Sequence, residues 1–195
     1  MSDNDSKDVA ESDTPSSDAV ERDEHGAPVD VAYAKRIKSF VVRAGRMTPD
    51  QREMYKVQFA EKGLTLDGGM LDYSQVFGND NPVVLEVGFG MGSSLVEMCQ
   101  ANPHLNYIGI EVHTQGVAKL LRDSADAGVE NIRAYEFDAI EILAHCIPDN
   151  SLQGMQLFFP DPWHKARHNK RRILTGEFAE TMRQKLKVGG EFHMA

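Results

Sequence analysis

No apolar run in this chain reaches the roughly 18 residues of a membrane-spanning helix. The first residues are acidic and polar, unlike a secretory signal. Cysteine is scarce: Cys99 and Cys146 stand far apart, without CxxC spacing. They read as buried thiols in a reducing compartment rather than a disulfide or a zinc site. His164 and His168 are four apart, but no third ligand is near and the surrounding Lys and Arg would repel a cation. No metal is expected. These absences point to a cytoplasmic protein without a membrane partner.

The net charge of −9 is unevenly spread. Residues 1–30 hold ten acids and two bases; the rest of the chain is close to neutral, at −1. The acidity belongs to a tail, so it is no argument against a nucleic-acid partner. Residues 1–34 have too few apolar groups to offset chain entropy and are expected to be a disordered acidic tail. Its plain role is solubilising; a sharper one is competition with RNA for basic patches. Residues 35–46 reverse the sign, with five bases, no acid, and Phe40, Val41 and Val42 between them. That mixture suits phosphate contact, or a solvated face packing on the domain. Thr48-Pro-Asp-Gln then caps a helix that should end before Gly63. Residues 35–82 are read as a basic extension and helix packing on a domain at 83–195.

From Val83 strands and helices alternate. Strands are expected at 82–87, 106–111, 131–137, 152–159 and from Glu191. Helices are expected at 93–101, 115–127, 139–146 and 175–186, the last stopped by Gly189-Gly190. This series predicts an α/β fold, a doubly wound, mostly parallel sheet with right-handed crossovers.

Glu86-Val-Gly-Phe-Gly-Met-Gly follows the first of these strands. Gly88 and Gly90 let backbone approach a ligand at the strand's carboxyl end. A dinucleotide fingerprint would need glycine at 93, where Ser93 stands, and Glu86 would repel pyrophosphate. The acid suits a cofactor with a cationic amino group, namely S-adenosylmethionine, and disfavours a nicotinamide-dependent oxidoreductase. Glu111, ending the next strand, offers two acceptor oxygens to ribose hydroxyls. Asp138 follows the third strand, where it can face an adenine, cap the helix from Ala139, or do both.

Residues 158–172 read Phe-Phe-Pro-Asp-Pro-Trp-His-Lys-Ala-Arg-His-Asn-Lys-Arg-Arg. Two prolines fix Asp161 at a strand end. Lys165, Arg167, Lys170, Arg171 and Arg172 then put five charges in eight residues. A rigid acid beside a flexible cationic loop suits a polyanion whose reacting base must meet a carboxylate.

Together, residues 85–92, Gly-Ile-Glu-Val-His (109–113) and residues 158–172 resemble the bacterial tRNA (guanine-N7-)-methyltransferase family over about residues 35–195. The resemblance implies a Rossmann-like class I methyltransferase fold, S-adenosylmethionine as donor, and a variable-loop guanine of tRNA as substrate. It places Glu86, Glu111, Asp138 and Asp161 among cofactor-binding acids, with Asp161 also the catalytic acid. It places Lys165 at the substrate and Arg167, His168, Asn169, Lys170, Arg171 and Arg172 in an RNA-binding loop. The family continues with a Thr-Asp motif, two more strands and a Thr-x-x-Glu segment; this sequence ends at Phe-His-Met-Ala. The expectations are a last strand left as an exposed sheet edge and weak or no turnover by these 195 residues, the alternative being a truncated, inactive tRNA- or cofactor-binding fragment. Methyltransferases of the same fold acting on small molecules or proteins are disfavoured by the basic loop. Monomer and homodimer are equally compatible with the sequence.

Overall fold

The computed structural model describes residues 38–40 and 47–195. The acidic tail and most of the basic stretch at 35–46 lie outside the described residues. Helix α1, Pro49–Lys62, starts where its sequence says it should. Thr48 Oγ1 accepts from the Gln51 amide at 3.2 Å, and Gln51 Oε1 accepts from the Thr48 amide at 3.0 Å. This reciprocal pair satisfies two donors that the first helical turn would otherwise leave open.

The remaining elements follow in chain order. They are β1 (Gly63–Leu64), α2 (Tyr73–Phe77), β2 (Val83–Val87), α3 (Ser93–Ala101), β3 (Asn106–Glu111) and α4 (Thr114–Asp126). Then come β4 (Ile132–Glu136), α5 (Ala139–His145), β5 (Leu152–Leu157), α6 (Gly176–Lys185) and β6 (Leu186–Met194). The six strands pair in the order β1-β4-β3-β2-β5-β6, every pair parallel.

Successive side chains of a strand leave opposite faces, and two apolar layers result. Val83, Leu85 and Val87 join Ile142, Leu143, Phe178 and Met182 under α5 and α6. Val84 joins Leu95, Val117, Leu120 and Ile132 under α3 and α4, with Tyr55 and Phe59 of α1 against them. Strands buried on both faces read as continuous apolar runs, which is why β2 and β3 are legible in the sequence.

Three features differ from expectation. The pair Gly63–Leu64 adds a strand beside β4, so the segment before Val83 takes part in the sheet. The last strand starts at Leu186 rather than Glu191. Gly189 (φ 80°) and Gly190 do not break it; they form a bulge, with Leu152 opposite Leu186 and Gly154 opposite Glu191. The cationic segment, expected to be flexible, forms a 3-10 helix over Ala166–Arg171. Within the described sheet β6 is an edge strand.

The chain builds β2, β3 and β4 outward in one direction, then crosses back to lay β5 on the other side of β2. The strand order reverses between β2 and β5. In open α/β sheets ligands bind outside the carboxyl ends of strands at such a point.

Candidate active site

The four acids singled out in the sequence lie at or just beyond the carboxyl ends of neighbouring strands around that point. Glu86 lies one residue from the end of β2 and Glu111 ends β3. Asp138 follows β4 by two residues and Asp161 follows β5 by four. The strands that carry them are neighbours, in the order β4-β3-β2-β5.

Glu86 is 3 % exposed, and its Oε2 has no hydrogen-bond partner among the described residues. Burial pushes its carboxyl up to about 7 from an ordinary 4.5. Burial, reinforced by Glu86, pushes the Cys99 thiol up to about 12, so that thiol is inert. Beyond Glu86 the chain turns through Gly88 (φ 71°) and Gly90 (φ 60°), left-handed conformations that disfavour a side chain. A Cβ at either would meet nothing within 4 Å, so the loop leaves open space above it.

Glu111 is also buried, but its carboxylate is engaged. Oε2 accepts from the Gly90 amide at 2.9 Å. Oε1 accepts from the amides of Val112 (2.7 Å) and His113 (3.0 Å) and meets His113 Nδ1 at 2.8 Å. The residue expected to face ribose thus also ties β3 to the glycine loop. Asp138 is 3 % exposed and caps α5, accepting from the Ile140 amide at 3.0 Å.

Asp161 is exposed, in a segment with two strained residues, Phe159 (φ 50°) and Trp163 (φ 41°). Bulky side chains at positive φ cost on the order of 1–3 kcal/mol and persist where the surroundings fix them. The Phe159 amide donates to the Ala195 carbonyl at 2.8 Å. The Trp163 indole donates to the Ser39 carbonyl at 3.0 Å.

The cationic segment is built around that tryptophan. The Arg171 guanidinium lies over the indole, 5.1 Å from its centre, and reaches the Lys38 carbonyl at 3.4 Å. His168 meets the indole edge-on at 5.5 Å. Arg172 Nε donates to the Pro162 carbonyl at 3.2 Å. Lys165, Arg167, Asn169 and Lys170 face solvent. Desolvation, then the neighbouring cations Arg167, Arg171 and Lys165, lower the His168 pKa. Residues 38–40 are thereby joined to the 163–172 segment.

Two residues escaped sequence reading. The Glu136 carboxylate, at the end of β4, accepts from the hydroxyls of Tyr55 and Thr114, tying α1 and α4 to the strand end. Burial, then that bond, holds the Tyr55 hydroxyl un-ionised. Gly116, inside α4, touches the glycine loop: a Cβ there would lie 2.1 Å from the Gly90 carbonyl oxygen.

A parallel sheet with a glycine loop after β2, helices on both faces and acids at successive strand ends is the Rossmann-like class I methyltransferase fold. The family match and the sequence relatives agree. Residues 80–195 match the family described as "Putative methyltransferase". The tRNA (guanine-N(7)-)-methyltransferase of Pseudoalteromonas translucida (strain TAC 125) is 58 % identical over 163 residues, 84 % of this chain and 68 % of that protein. That of Colwellia psychrerythraea (strain 34H / ATCC BAA-681) is 55 % identical, over 84 % of this chain and 67 % of that protein. Among solved structures, the antibiotic-resistance methyltransferase Kmr aligns over 67 % of this chain and 64 % of its own, with 19 % identity and a TM-score of 0.49. A Haemonchus contortus phosphoethanolamine methyltransferase solved with S-adenosylhomocysteine aligns over 63 % of this chain, which spans 26 % of it, with 18 % identity and a TM-score of 0.45. The chain belongs to the tRNA (guanine-N(7)-)-methyltransferase family.

Proposed function

We propose that this protein transfers a methyl group from S-adenosylmethionine to N7 of a variable-loop guanine in tRNA, in the cytoplasm. The observation that carries this reading is the placement of Glu86, Glu111, Asp138 and Asp161 at or just beyond the carboxyl ends of four adjacent strands, with an anchored cationic segment directly after the last. The residues fit the donor. Glu86 has an unpaired buried oxygen for an amino group, and Gly88 and Gly90 leave room for close approach. Glu111 and Asp138 take the ribose and adenine ends. When bound, S-adenosylmethionine supplies an electrophilic sulfonium methyl.

Guanine N7 carries a free lone pair at neutral pH, so the chain need not supply a general base. Its contribution is position and electrostatics. Asp161, on a backbone pinned on both sides, offers a carboxylate to charge that grows on the purine during transfer. The same carboxylate can accept from the guanine N1–H and N2–H edge, which adenine cannot match. Lys165 meets the substrate beside it. Arg167, His168, Asn169, Lys170, Arg171 and Arg172 form the surface that follows the RNA backbone.

The test is transfer of tritium from labelled S-adenosylmethionine to unmodified tRNA, with a second tRNA lacking the variable-loop guanine. Label that requires the guanine supports the reading. Label independent of it overturns the assigned site, and tRNA binding without label would leave a binding role alone.

A further inference from the structure

Among the described residues the buried atoms Glu86 Oε2, Asn106 Oδ1 and Gln156 Oε1 have no hydrogen-bond partner, and Tyr135 Oη has only the weak Cys146 thiol beside it. An unpaired buried polar group costs about 1–3 kcal/mol and calls for an explanation. Asn106 stands at the amino end of β3, and Tyr135 lies in the layer under α5 and α6. The other two belong together. Glu86 on β2 and Gln156 on β5 are register partners, so their side chains leave the same face of the sheet on adjacent strands. Both are near the carboxyl ends, on the two strands between which the order reverses.

The flanking register positions supply no donor. On one side Glu86 faces Gly109, which has no side chain. On the other Gln156 faces His193, whose Nε2 pairs with Glu191 at 3.1 Å. What satisfies two adjacent acceptors at once is a compact group with several N–H donors and a positive charge, a primary ammonium. An amide is the suitable companion for Glu86, because a second carboxylate at this strand end would add repulsion.

We propose that Gln156 is a cofactor-binding residue, its Oε1 accepting from the amino group of the S-adenosylmethionine amino-acid end while Glu86 supplies the opposite charge. This rests on the methyl-donor reading of the site. It adds a residue that the four strand-end acids leave out, and it places the amino-acid end at the β2–β5 crevice, beside the segment that bears Asp161.

The test is calorimetric binding of S-adenosylhomocysteine and of 5′-methylthioadenosine, which keeps the nucleoside and sulfur but lacks the amino acid. Gln156→Leu should bind S-adenosylhomocysteine about ten- to a hundred-fold more weakly, the usual loss for a hydrogen bond to a charged group. It should bind 5′-methylthioadenosine as the wild type does. Without ligand the variant should unfold at or above the wild-type temperature, since an unpaired acceptor is gone; a purely structural glutamine would lower it. Unchanged S-adenosylhomocysteine affinity, or an equal loss for both ligands, overturns the proposal. Should Gln156→Leu not fold, Gln156→Met is compared with wild type for S-adenosylhomocysteine and its deaminated analogue: deamination should cost the variant less than the wild type, and an equal cost in both overturns the proposal. Failure of the wild type to bind either nucleoside would instead defeat the methyl-donor reading itself.

Discussion

The space that a side chain at Gly116 would fill is occupied by the carbonyl oxygen of Gly90, 2.1 Å from the Cβ position. Glu111 Cγ lies 3.2 Å from the same point. Helix α4 and the glycine loop therefore meet backbone to backbone, and Glu111, which accepts from the Gly90 amide, closes the contact from β3.

Gly116→Ala must displace that loop. Overpacking of this kind costs about 1–3 kcal/mol, and affinity for S-adenosylhomocysteine should fall at least about ten-fold, since the loop is the floor of the proposed cofactor site. Titration calorimetry alongside thermal unfolding checks both. Wild-type affinity in a folded variant would show that the loop does not shape the site.

Glu86 gives a pH signature. Its folded pKa, about 7, lies above the ordinary 4.5. An acid raised in this way stabilises the fold fully below its unfolded pKa, and that contribution is lost as pH rises through the folded value. The unligated chain should therefore lose on the order of 3 kcal/mol from this group between those two values, and Glu86→Gln should not. An ammonium ligand favours the ionised carboxylate, so S-adenosylhomocysteine binding should tighten as pH climbs through about 7, with proton release. Identical pH profiles for wild type and Glu86→Gln would remove the residue from the site.

Asp161→Ala should lower methyl transfer by about two orders of magnitude or more while tRNA affinity stays within a few-fold. Single-turnover rates and filter binding separate the two. A variant that turns over like the wild type would show Asp161 is not the catalytic acid.

The cations after Asp161 divide into two kinds. Lys170 is exposed, and Lys170→Ala should weaken every tRNA alike and reduce the salt slope by about one. Arg171 is stacked on Trp163 and bonded to Lys38. Arg171→Ala should also flatten the salt dependence, and cost more affinity than Lys170→Ala because it loosens the segment that presents the other charges. An unchanged slope for both would argue against phosphate contact.

Much of this was legible in the sequence for physical reasons. Strands β2 and β3 are buried on both faces and end beside a glycine and at an acid, so their order and the positions of Glu86 and Glu111 could be read directly. Thr48-Pro49-Asp50-Gln51 announced the start of α1. Other parts were hidden. Gly63–Leu64 is too short to show a period, and its place beside β4 is a tertiary fact. Gly189-Gly190 reads as a break because a bulge and a turn use the same residue. Glu136 looks like an ordinary polar strand residue until Tyr55 arrives from 81 positions away. Gly116 costs a helix about 1 kcal/mol by propensity, and only the loop against it explains why it is there. Gln156 carries no motif; its oxygen matters because of what the neighbouring strand puts beside it.

The stacking of Arg171 and His168 around Trp163 has a practical consequence. This is the chain's one tryptophan, so the ultraviolet emission of the protein comes chiefly from the segment that follows Asp161. The molecule carries its own label at the surface where a polyanion would land. Intensity and colour of that emission should change when tRNA docks, with no added dye.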